Sequence, residues 1–210
     1  MKNLFSLDNP FIQLLSRVGD MIIVNFLCLL CSLPIITAGA AISASHRIMQ
    51  DIVLDNEGPI FKTFFRVFKE NFKQATIVWL VLLVVIAALV CDFVLIYFFV
   101  SDIIQSLMYV LTGAVALIVF GIVLYMFPLL TRYRNSLKDH LRNAMVLMIV
   151  HLHRTIGMML LHALPVIILW LSYNVFLQTL IFWLFIGCSF TFYMDTVILK
   201  KVFTQLEGAK

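Results

Sequence analysis

Apolar residues fall in long unbroken blocks along this chain, and polar residues are confined to short intervals between them. Ala75 to Cys91 and Leu107 to Leu130 are the clearest blocks. Runs of ~20 apolar residues are long enough to cross a hydrocarbon core of ~30 Å as helices. The blocks are continuous rather than alternating, which argues against transmembrane β-strands. The pattern predicts an all-α polytopic membrane bundle of about six spans with two interfacial amphipathic helices. It reads as one membrane domain over 1–210: a charged hairpin at 1–58, then an amphipathic helix plus two spans at 59–131 and again at 132–210. That repeated order is a weak internal echo of the kind that relates parallel repeats.

The first hairpin is expected to fold at Ser32-Leu33-Pro34, because proline cannot continue a helix interior. Asp8 or Asn9 suits a cap ahead of Pro10. Helices then follow from about Pro10 to Leu33 and from Ile36 to about Leu54. The second has a short apolar part, so a re-entrant hairpin is the alternative to two full crossings. Its Gly39, Ala40, Ser43 and Ala44 form a smooth face for close helix approach. Gly113 and Gly121 are expected to mark another such contact. Phe61, Phe64, Phe65, Phe68 and Phe72 recur at helical spacing, opposite Lys62, Arg66, Lys69 and Lys73. This predicts an in-plane helix, aromatics toward lipid and cations toward anionic headgroups; the plainer alternative is an extension of the next span. Leu137, Leu141, Met145 and Met148 predict a second helix of that kind.

Composition supports the membrane reading: 63% of residues are hydrophobic and 12% charged, where soluble domains carry about a quarter charged. The net charge of +4 needs no nucleic-acid partner. With six spans and a cytoplasmic N-terminus, all 15 Lys and Arg fall on the inner side, and the turns at Pro34, Ser101 and Asn174 carry none. This predicts a bacterial cytoplasmic membrane protein with both termini in the cytoplasm.

Charged residues inside such segments are candidate sites by default. Counted outward from Pro34, Asp20 faces Arg47 and Arg17 faces Asp51, so opposite charges are expected to meet twice across the hairpin. Asn25 and His46 lie near this group. The cluster Arg17, Asp20, Asn25, His46, Arg47 and Asp51 either locks the hairpin or lines a polar cavity. Asp92, deep in the third span, is a satisfied hydrogen-bonding group or an ion site. His162 shares a face with His151 and is expected to make helix–helix contacts. Asp195 is expected to pair with Lys200 or a loop base. Cys28 and Cys31 have redox spacing but sit in an apolar helix, and are expected to pack as small apolar side chains. No phosphate loop, G-x-S-x-G or H-E-x-x-H occurs. His140, His151 and His153 lack an acid or Cys to complete a metal site. The expectation is a protein with no catalytic residues, metal or cofactor.

Several stretches together resemble one family. They are Phe5 to Asp20, Asn25, the run Ser32-Leu33-Pro34-Ile35-Ile36-Thr37-Ala38-Gly39-Ala40, and Phe64-Phe65-x-x-Phe68-x-x-x-Phe72-Lys73-Gln74-Ala75 followed by Trp79. They are similar to the YesL family of small bacterial membrane proteins. The resemblance covers essentially the whole chain and is most specific in the first hundred residues. It implies a multi-span accessory role beside carbohydrate uptake, with a membrane permease or sensor as partner, and it carries no catalytic residues. A small transporter, lined by the hairpin charges and Asp92, is the competing expectation. No feature specifies a substrate or an oligomeric state.

Overall fold

The computed structural model describes residues 10–56, 58–100 and 102–208. Helix α1 spans Pro10–Ser32, and a 3-10 turn at Ile35–Thr37 leads into α2, Ala38–Val53. Then follow α3 (Ile60–Phe99), α4 (Asp102–Arg132), α5 (Leu137–Val150) and α6 (Leu152–Leu171). Helix α7 (Tyr173–Phe182) passes through a π-turn at Trp183–Gly187 into α8 (Cys188–Gly208). The described residues contain no strand. The expected caps Asp8 and Asn9, and the turn residue Ser101, lie outside the described residues.

Five helical runs are long and apolar enough to cross a membrane: α1, α3, α4, α6 and the α7–α8 run. The expected second span is not among them. Helix α2 has 16 residues, about 24 Å at 1.5 Å per residue, short of a ~30 Å core. Its 13 buried residues leave it no lipid-facing side. It is instead the central helix, packed against α1, α3, α4 and α8.

Small side chains make that position possible. Ala40, Ala41 and Ala44 are fully buried, and a Cβ on Gly39 would lie 2.5 Å from both the Ala75 carbonyl oxygen and the Trp79 Cβ. Association of helices in lipid gains little from apolar burial, so close backbone approach and hydrogen bonds carry more of it. Gly121 behaves similarly, against Met148 and Met159. Gly113 does not; open space surrounds it, and the expected contact of the pair is half wrong.

The hairpin tip is apolar. Leu33, Ile35 and Ile36 are exposed, yet the carbonyls beside them are occupied. Thr37 Oγ1 lies 2.6 Å from the Cys31 oxygen and 2.8 Å from that of Pro34, and Trp79 Nε1 donates to Ile35 O at 2.7 Å. Non-helical backbone is tolerated at membrane depth only where its polar groups are satisfied. Past Trp79, α3 continues for about 20 residues, or about 30 Å, to Phe99. The tip therefore stops well short of the far end of α3.

The phenylalanine stripe also departs from expectation. Ile60 to Lys73 is the unbroken start of the 40-residue α3, so it extends the span and does not form a separate in-plane helix. Phe64 is fully buried and Phe68 packs beside it in the core of the first hairpin, whereas Phe61, Phe65 and Phe72 stay exposed. Helix α5 is a separate helix, capped by Ser136, whose hydroxyl accepts from the Asp139 amide. The two proposed repeats therefore differ in build: one continuous helix in the first, two helices in the second.

Gly39→Ala should lower the unfolding midpoint in detergent, by an amount equivalent to about 1–3 kcal/mol, as overpacking usually does. Gly113→Ala should be neutral or slightly stabilising. An unchanged midpoint for Gly39→Ala would remove the close α2–α3 approach.

Candidate functional site

The charges of the first hairpin are paired, though not as counting predicts. Arg17 on α1 meets Asp55, just past α2, at 2.5 Å. Asp55 has φ 56°, the left-handed region that Asp tolerates better than most residues. Arg47 pairs with Asp51 on its own helix at 3.2 Å, and its guanidinium also donates to Thr131 O at 3.5 Å. Neither Asp20–Arg47 nor Arg17–Asp51 forms. The reason is the 3-10 turn: it inserts three residues on the α2 side, and the register slips by about one helical turn. Asp20 and Asp51 instead wall a cavity of 10 Å³ with Ile48, Ile52, Ile60 and Thr63, room for about one water.

Asn25 and His46 serve other elements. Asn25 is fully buried; its Nδ2 donates to Leu184 O at 2.6 Å and its Oδ1 accepts from Ser189 N at 3.1 Å. Leu184 O lies within the π-turn and Ser189 N just past it, where the ordinary helical ladder is interrupted. Asn25 thus clamps α1 to the α7–α8 run. His46 faces the Phe192 ring, with centroids 4.4 Å apart, and lies within electrostatic range of His162.

His162 and Asp195 come together in the interior. His162 Nε2 lies 3.5 Å from Asp195 Oδ2, and the Asp195 side chain is 1% exposed. The other ring nitrogen, Nδ1, is 3.1 Å from Met158 O. A carbonyl only accepts, so Nδ1 carries a proton in that contact. A hydrogen bond across the Nε2–Oδ2 gap then requires one further proton, held by the ring or by the carboxyl. Lys200, the expected partner of Asp195, instead donates to Val53 O at 3.1 Å and caps the end of α2. His151 sits at the α5–α6 junction, outside both helices, so the expected shared face with His162 is absent. Asp92 accepts a hydrogen bond from Thr112 Oγ1, linking α3 to α4. Cys28 is buried and Cys31 half-buried, both with free thiols.

The most prominent open feature is a basic cavity of about 750 Å³ where α2, α3 and the α4–α5 connection meet. Arg47, Arg66, Lys73, Arg132 and Arg134 line it, with Glu70 the acid among them. Of the predicted surface cations, Arg66 and Lys73 reach this lining, whereas Lys62 and Lys69 lie outside it. Arg132 is held by Glu207 through contacts of 2.8 and 3.0 Å, beneath which the Phe203 ring lies 4.8 Å away. Tyr133 also donates to Glu207, at 3.1 Å. Burial, then the Glu207 carboxylate, pushes the Tyr133 phenol above its ordinary range. Sequence reasoning treated Arg132 and Arg134 only as orienting charges; their cluster within Thr131-Arg132-Tyr133-Arg134-Asn135 was the available signal.

A family model described as "Protein of unknown function, DUF624" matches residues 21–93. The match covers the second half of α1, all of α2 and most of α3, and so includes both the hairpin tip and the α3 wall of the basic cavity. No curated protein and no solved structure matches the chain.

Two outcomes follow from the buried polar groups. Asn25→Leu should destabilise by about 1–3 kcal/mol, the usual cost of orphaned buried polar atoms. His162→Phe alone should be more harmful than His162→Phe with Asp195→Leu, because the single change strands a buried acid while the double change removes both partners. Thermal unfolding of the two variants measures this; equal midpoints would show that the residues do not interact.

Proposed function

We propose that this chain is a non-enzymatic accessory or regulatory protein of a bacterial cytoplasmic membrane that binds another membrane protein. The observation that carries this reading is where the cavities lie. The basic cavity is lined by neither Asp20 nor Asp92, and the cavity beside Asp20 has room for about one water. Of the other polar candidates, Asn25 is bonded to the π-turn and Asp92 to Thr112, and Asp195 lies 3.5 Å from His162. Polar groups used in this way fasten helices together.

The lean of all Lys and Arg to one side supports cytoplasmic termini under either form of the first hairpin. A hairpin that crosses twice and one that turns back both return the chain to the side it left. The resemblance to the YesL family supports carbohydrate uptake as the setting and a permease or sensor as the partner. The competing reading is a small transporter that opens a path along Arg17, Asp20, Asn25, His46, Arg47, Asp51 and Asp92.

Crosslinking and co-purification from native membranes, with and without a sugar-inducing medium, tests the first reading. Recovery of a permease or sensor in the induced sample is the expected result. Recovery of neither, together with solute uptake by purified protein in liposomes that Asp92→Asn abolishes, would replace it with the transporter.

A further inference from the structure

We propose that the basic cavity and the apolar groove beside it form one binding site for an anionic phospholipid. The phosphoryl headgroup sits among Arg66, Lys73 and Arg134, and an acyl chain lies between α3 and α4. The site does not depend on the accessory reading or on any protein partner.

The cations come first. Two of the five in the cavity are already committed, Arg47 to Asp51 and Arg132 to Glu207. Arg66, Lys73 and Arg134 make no ion pair or hydrogen bond among the described residues, and Glu70 is the only acid in the lining to offset them. A lining with this surplus attracts an anion, and arginine matches phosphate oxygens with its planar fork of donors.

The groove favours a lipid over a free phosphate. Lys73 and Gln74 wall the cavity; one turn along α3, Ile77 and Val78 begin an apolar groove of about 420 Å³. Across from them Asn135 belongs to the cavity, and Leu137 and Lys138 to the groove. The border is marked by Gln74 Nε2, which donates to Asn135 O at 3.4 Å. Charge and apolar surface thus adjoin along one helix face in the order of a phospholipid, headgroup then chain. Lys138, at the groove, adds a fourth cation. A soluble sugar phosphate would use the cavity and leave the groove idle.

The test is thermal unfolding of the full chain in zwitterionic detergent, titrated with phosphatidylglycerol, phosphatidylcholine, inorganic phosphate or a hexose phosphate. Phosphatidylglycerol should raise the midpoint while the other three do not. The combined change R66Q/K73Q/R134Q should weaken its apparent affinity by up to roughly a hundredfold, at about a factor of five for each cation near an anionic lipid. K62Q/K69Q, on the same helix but outside the cavity, should leave it unchanged. V81W, which fills the groove, should weaken it as well. Should the triple variant fail to fold, K73Q and V81W carry the test. Equal stabilisation by hexose phosphate or inorganic phosphate, undiminished in V81W, would reassign the site to a soluble anion and overturn the proposal. An equal loss in K62Q/K69Q would reduce it to general surface charge and overturn it too.

Discussion

The close approach of α2 to α3 at Gly39 is the contact on which the other packing depends. Without a side chain at this position, α2 sits directly against Ala75 and Trp79, and three further helices reach it. For α4 and then α8 the contacts are specific. Gln50 donates to Pro128 O of α4 at 3.0 Å, Lys200 of α8 caps Val53, and the Phe192 ring covers His46. In lipid, separating two apolar helices exposes neither of them to water, so such short-range contacts decide the arrangement. A larger residue at Gly39 would move α2 as a whole and loosen every one of them.

Burial of α2 also accounts for the hairpin tip. A 16-residue helix is short of a full core of ~30 Å, and the turn before it lies beside Trp79 of α3. Pro34 has no N–H to satisfy. Thr37 and Trp79 occupy the carbonyls of Cys31, Pro34 and Ile35, and the side chains left exposed are Leu33, Ile35 and Ile36. Composition alone could not reveal how this tip is held, because the bond to Ile35 O comes from a residue on another helix.

Local features were legible in the sequence and long-range ones were not. The apolar blocks, the bend at Pro34 and the smooth face at Gly39 all follow from residues within a few positions of one another. Pairings across the hairpin failed because they hinge on register, and the 3-10 turn shifts register by an amount that counting from a proline cannot include. Asp195 was matched to Lys200 for being near in sequence, whereas α6 brings His162 to it from across the bundle. Asn25 was grouped with charges on its own hairpin, but its partners Leu184 and Ser189 are set by a π-turn that no local pattern announces. The Phe stripe had the right period and the wrong destination: helical spacing reports a face, and only the position of α2 reveals that Phe64 and Phe68 are covered.

Two groupings of polar residues bear on any path through this chain. One is the basic cavity, open at the end where α2, α3 and the α4–α5 connection meet. The other comprises His46, His162 and Asp195, enclosed between α2, α6 and α8. Between them lies an apolar cluster that includes Leu124, Met126, Leu129, Met158 and Leu199, all at most 5% exposed. A conduit needs polar groups in continuous succession, and here the link is narrow: Gln50, one turn from His46 on α2, donates to Pro128 O at 3.0 Å and to Thr131 Oγ1 at 3.4 Å beside the basic cavity. Widening that link would require α2 and α4 to part, at a cost set by the apolar area between them. Recognition at the open end needs no such rearrangement, because the cations that would meet a ligand already line the cavity.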